Sequence, residues 1–152
     1  MTLTDNCYEN MFENCDLLTI PPKLPATTLA QGCYYRMFYG CTELATAPEL
    51  PATTMAQGCY ESMFGGCTSL TTAPELPATI LVDYCYNNMF KGCTSLNYIK
   101  AMFTTTPGSD YTSNWMSNVA VTGTFVKNSE AEWDIIGNNG IPENWTVETA
   151  DE

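Results

Sequence analysis

The stretch LAQGCYYRMFYGCTELATAPELPATT, residues 29–54, decides the fold, because it is one of four copies of the same unit. Cys33 and Cys41 stand eight residues apart, and the pair returns as Cys7 and Cys15, Cys59 and Cys67, and Cys85 and Cys93, each time displaced by 26 residues. The apolar columns keep the same frame. Met11, Met37, Met63 and Met89 recur, each followed by Phe12, Phe38, Phe64 and Phe90. Leu18, Leu44, Leu70 and Leu96 form another column, and Leu3, Leu29, Met55 and Leu81 a third. Leu24, Leu50 and Leu76 each precede a proline. A fixed period of this length marks a repeat architecture, in which one unit cannot bury its apolar face alone and neighbours complete the core.

Each unit reads as one short helix and one short strand. Cys33, Met37 and Cys41 fall at i, i+4 and i+8, one helical face. Thr27 or Thr28 can cap its start. Gly40, Gly66 and Gly92, with Asn14 in the first copy, stand where the left-handed C′ residue ends a helix. The Thr-Leu stretch that follows suits a strand of three or four residues, which Pro48 and Pro74 end by removing a donor. The expected fold is therefore an α/β solenoid, four repeats over residues 3–101 with one short helix and one short parallel strand each. Strands would stack at ~4.8 Å and helices at ~8–10 Å, a mismatch that would curve the array. Leu18, Leu44, Leu70 and Leu96 are expected to be buried in register.

The motif G-C-T-S-L-T, the Met-Phe two residues ahead of Gly-Cys and the proline after the strand resemble the BspA-like class of leucine-rich repeats. The present units are longer than the usual one and add the L-P-A-T-T insert. They look most like a subtype of gut Bacteroidetes and their prophages. The resemblance implies a bacterial surface protein that adheres to a host protein or glycan. It also implies a location outside the cell or at its surface, or in a virion.

Residues 102–152 break the period and read as a C-terminal, β-containing cap. Tyr98, Ile99 and Lys100 replace the usual T-A-P, so the fourth strand is expected to run longer. A short helix is expected over 113–119, strands over 123–127 and 145–147, a turn at Asn138-Asn139-Gly140, and a frayed end at 149–152. Trp115, Phe125 and Trp145 should cover the last repeat's core. The array starts in mid-frame at Leu3, which predicts upstream repeats, an upstream domain or a neighbouring chain at that end.

Composition narrows the function. Seventeen acidic and five basic residues give a formal charge of −12. That disfavours a nucleic-acid backbone or an anionic lipid surface as partner. No histidine occurs, which removes Ser/His and Cys/His catalytic pairs. No apolar run approaches the ~20 residues of a membrane span. No signal peptide opens the chain.

Four features can carry chemistry. Eight residues of helix span about 12 Å, beyond the ~7 Å limit for a disulfide within one repeat. The C-x₇-C spacing does not match zinc pairs. Buried thiols fit better, with disulfides between adjacent repeats as the alternative. The tyrosine column Tyr8, Tyr34, Tyr60 and Tyr86, with Tyr35 and Tyr84 beside it, either stacks on a ligand or packs over the neighbouring repeat. Glu43, Glu49 and Glu75, with Lys23, read as solvated charges rather than as an acid/base pair. The sequon at Asn144 reads as chance. Positions that vary while the core columns stay fixed are the candidate ligand face. The candidate binding residues are thus Tyr34, Tyr35, Arg36, Tyr39, Glu43, Tyr60, Glu61, Tyr86, Asn87, Asn88 and Lys91, with Ser62 beside them. No catalytic residue, metal or cofactor is expected. The expected function is a non-catalytic module that binds a protein or glycan. A structural or receptor-binding component of a phage virion or surface filament is the alternative.

Overall fold

Glycine or asparagine stands at most of the positions spaced four apart that lead up to each Gly-Cys, or Asn-Cys in the first copy, and this spacing sets the backbone path. In a computed structural model, which describes residues 2–150, the first copy has Asn6, Asn10 and Asn14 at φ 55, 55 and 56°. The later copies have Gly32, Arg36 and Gly40, then Gly58, Ser62 and Gly66, then Tyr84, Asn88 and Gly92, all at positive φ. A left-handed residue at every fourth position is incompatible with a right-handed helix.

The segment instead forms a ribbon of successive turns. The amides of Cys33, Tyr35, Met37, Tyr39 and Cys41 each donate to the carbonyl three residues back. Every second turn carries its left-handed residue at the third position, the site that in type II turns calls for Gly or Asn. The alternate amides leave the ribbon. Those of Gly32, Tyr34, Arg36, Phe38 and Gly40 donate to the carbonyls of Gln57, Cys59, Glu61, Met63 and Gly65 of the next unit. The same five bonds join the first unit to the second and the third to the fourth, at 2.6–3.2 Å over the three junctions.

The expected α/β leucine-rich-repeat solenoid is therefore corrected. Among the described residues there is no helix, neither in the repeats nor over 113–119. Regular strand is confined to β1 (Tyr98–Ala101), β2 (Thr124–Lys127) and β3 (Thr146–Thr149), one parallel sheet in the order β1-β2-β3. Towards the N-terminus the strand side thins to single parallel bridges, Thr72 with Tyr98 and Thr46 with Thr72. Prolines 48 and 74 follow two residues later and withhold the donors that would lengthen the ladder. With no helices there is no helix-to-strand spacing mismatch, and the reason given above for curvature disappears. Backbone hydrogen bonds join neighbouring units on both sides of the core.

The core is ordered in columns. Two inward residues alternate with two outward ones: Cys33 and Tyr34, then Met37 and Phe38, then Cys41 face in. Phe12, Phe38, Phe64 and Phe90 stack at 5.6–5.7 Å, and Tyr8, Tyr34, Tyr60 and Tyr86 at 5.6–6.1 Å, with ring planes within 12° of parallel. Leu44, Leu70 and Leu96 are buried in register, while Leu18, in the first unit, is half-buried.

The tail continues this ladder after the sequence period has lapsed. Tyr86, Asn88, Phe90 and Gly92 donate to Tyr111, Ser113, Trp115 and Ser117. Trp115, fully buried, occupies the place 26 residues after Met89 and stacks on Tyr86 at 6.0 Å. Beyond it the chain's own loop takes over: the Asn139 side chain accepts the Asn114 amide, and the Gly140 carbonyl accepts the Trp115 indole at 2.9 Å. Phe125 and Trp145 are buried as expected. The strands expected over 123–127 and 145–147 form as β2 and β3. Of the expected frayed end, Thr149 closes β3, and residues 151–152 lie outside the described residues.

All eight thiols are free, six of them buried. Cys41, Cys67 and Cys93 donate to the carbonyls of Phe12, Phe38 and Phe64 at 3.0–3.1 Å. Burial raises Cys33, Cys41 and Cys85 from the ordinary 9.0 to about 11 and Cys93 to about 12. Each of these thiols holds its proton more tightly folded than unfolded. Stability is then full below pH 9.0 and falls as pH rises towards about 11. Denaturant midpoints should therefore drop steadily across that window. At pH 8 an alkylating reagent should label Cys7 and Cys15 and spare the other six until the chain unfolds. Uniform labelling of all eight would contradict this packing.

Candidate binding site

The outward doublets of the turn ribbon make a surface on which side chains vary from unit to unit. At its centre is a shallow depression of about 280 Å³, spanning all four units. Its floor includes Gly32 and Gly58, whose left-handed backbone and missing side chains keep it open. Tyr35 and Tyr84 contribute rings, Asn6, Gln31 and Gln57 contribute amides, and Glu9 and Glu61 contribute carboxylates. Tyr84 is 44% exposed, and Tyr35 and Glu61 are half-buried. Burial raises the Glu61 carboxyl above its ordinary value. The Asp5 carboxylate accepts the Gln31 backbone N–H at 3.1 Å and ties the first unit to the rim.

One turn away, Arg36 lies over the Tyr39 ring at 4.0 Å and pairs with Glu13 of the first unit. Its Nε is shielded from solvent and has no hydrogen-bond partner. Arg36 itself stands at φ 50°, a left-handed conformation that costs a non-glycine residue about 1–2 kcal/mol.

The candidate residues divide into three groups. Tyr35 and Glu61 meet in the depression, and Arg36 and Tyr39 form the neighbouring cluster. Tyr34, Tyr60 and Tyr86 are 1–2% exposed and stack inside the core. Burial raises their phenols above the ordinary value. Asn87 is also buried, where its side chain accepts the Ser113 amide at 2.7 Å and fixes the next coil. Glu43 and Lys91 are exposed away from both clusters, and Asn88 serves as a left-handed turn residue beside Ser62.

Gln31, Gln57, Asn6 and Glu9 were not among the residues read from sequence. The repeated Gln-Gly-Cys of the second and third units is the signal for the two glutamines. The acidic residues stand apart: Glu49 and Glu75 are exposed along a proline-lined furrow, and Glu75 pairs with Lys100 at 3.0 Å. Among the described residues no group of three Cys, Asp or Glu side chains could hold a metal ion, and no helix is long and apolar enough to cross a membrane.

Compared with protein-family models, curated proteins and solved structures, the chain matches none.

Proposed function

We propose that the chain is a non-catalytic binding module and that its ligand is a carbohydrate taken by the depression between Tyr35 and Tyr84. The observation that carries this reading is the mixture of groups at one place: two accessible rings, three amides and two carboxylates over a glycine floor. A sugar presents C–H faces that pack on tyrosine rings and hydroxyls that both donate and accept. Amides and carboxylates answer such hydroxyls without requiring a fixed charge on the ligand. The likeness of the repeat motif to BspA-like surface proteins supports a site of action at a cell surface or on a virion.

A protein ligand is the second reading, favoured by the half-buried Arg36–Tyr39 stack, since Arg and Tyr are frequent anchors of protein interfaces. Screening the chain against glycan and extracellular-matrix protein arrays separates the two. Carbohydrate binding that weakens about tenfold in Tyr35→Ala, with Arg36→Ala near the parent, supports the first. Binding only to proteins, lost in Arg36→Ala and kept in Tyr35→Ala, replaces it with the second.

A further inference from the structure

Among the described residues, the first unit has no coil in front of it. Its outgoing amides are spent: Asn6, Tyr8, Asn10, Phe12 and Asn14 all donate to the second unit. Its incoming acceptors are not. The carbonyls of Asp5, Cys7, Glu9, Met11 and Glu13 accept no hydrogen bond from any described residue. Their equivalents one unit on, at Gln31, Cys33, Tyr35, Met37 and Tyr39, each accept one. The edge thus presents five backbone acceptors at two-residue spacing and no matching donor.

The apolar face is unfinished at the same place. Met11 is 57% exposed where Met37 is 1% exposed. Cys7 and Cys15 are exposed where Cys33 and Cys41 are buried. Tyr8 and Phe12 each stack on a ring behind them and on none in front. A small hollow of about 170 Å³ opens here beside Tyr8, Met11 and Phe12.

We propose that this end face is a docking surface for a further coil of the same 26-residue class. Such a coil would give its alternate amides to the five carbonyls and lay its own rings on Tyr8 and Phe12. The polarity of the edge selects this occupant. A second copy docked through the same face would set acceptors against acceptors. A second copy docked by its C-terminal end would find the Thr112 amide bonded back to Gly108 and the Asn114 amide held by the Asn139 side chain. A row of donors at two-residue spacing is what the turn ribbon of this unit presents, as it does at every internal junction. The proposal is independent of the carbohydrate reading.

The test places a copy of residues 29–54 directly ahead of Leu3 in the full chain, which keeps the 26-residue register. A second extension carries the same copy with proline at the places of Tyr34, Arg36 and Phe38, so that three donors are missing. The readouts are the alkylation rates of Cys7 and Cys15 and the melting temperature, with sedimentation of the parent chain alongside. The intact copy should slow both thiols about tenfold or more and raise the melting temperature, as burial under a hydrogen-bonded layer requires. The proline copy should do neither. Equal reactivity in all three chains, equal protection by both copies, or a parent that is already a dimer with both thiols protected would each overturn the proposal.

Discussion

Replacing Phe64 by alanine is expected to cost about 3–5 kcal/mol, the range for removing a fully buried aromatic ring. A domain's net stability is about 5–15 kcal/mol, so the variant should be close to unfolding at ambient temperature. Phe64 is fully buried, with Phe38 at 5.6 Å on one side and Phe90 at 5.7 Å on the other. Its removal leaves a cavity that the flanking rings cannot fill, because their own units are pinned by the backbone ladder. Phe12 is half-buried and stacks on one side alone. Phe12→Ala should therefore cost well under half as much. Urea unfolding of the two variants measures the difference, and equal losses would contradict a column that is closed in the middle and open at the first unit.

Ending the chain at residue 106 is expected to be more damaging still. It removes Trp115 from the Tyr86 and Phe90 rings and takes away the carbonyls that accept from Tyr86, Asn88, Phe90 and Gly92. Each apolar side chain returned to water loses about 1.5–3 kcal/mol, and the open row of amides invites pairing between chains. The truncated chain should melt many degrees lower and aggregate. Soluble, monomeric protein with the parent's melting temperature would show that residues 107–152 do not complete the core.

The repeat, its period and its buried columns were legible because each depends on residue type alone: Leu, Met, Phe and Cys recur in register, and most of them are inside. The local backbone was not. Cys33, Met37 and Cys41 at i, i+4 and i+8 fit a helical face, but a turn ribbon that repeats every four residues produces the same spacing. Over eight residues, periods of 3.6 and 4 give the same inward set. The discriminating residues were the polar ones. Asn6, Asn10 and Asn14 are four apart, and so are Gly58, Ser62 and Gly66, yet only the last column was read, as a helix stop. Gly and Asn at that spacing are poor in a helix and well suited to left-handed positions.

Of its two readings the tyrosine column takes the second: Tyr34, Tyr60 and Tyr86 pack over the neighbouring repeat. Tyr34 directly follows Cys33, and the doublet pattern turns both inward. The tail's role was readable from its tryptophans. Its continuation of the ladder was not, because backbone bonds between coils do not depend on which side chains are repeated.

The central claim is that the segments ahead of each Gly-Cys are turn ribbons with a left-handed residue at every fourth position. Ser62, at φ 55° in the middle of the third ribbon, tests it by sign. Glycine is at ease there, and alanine carries a left-handed penalty of about 1–2 kcal/mol. In a helix the order reverses, with alanine favoured over glycine by about 1 kcal/mol. The measurement is the unfolding free energy of Ser62→Gly against Ser62→Ala in the full chain. The account predicts that the glycine variant is the more stable, by about 1 kcal/mol. A more stable alanine variant would contradict it.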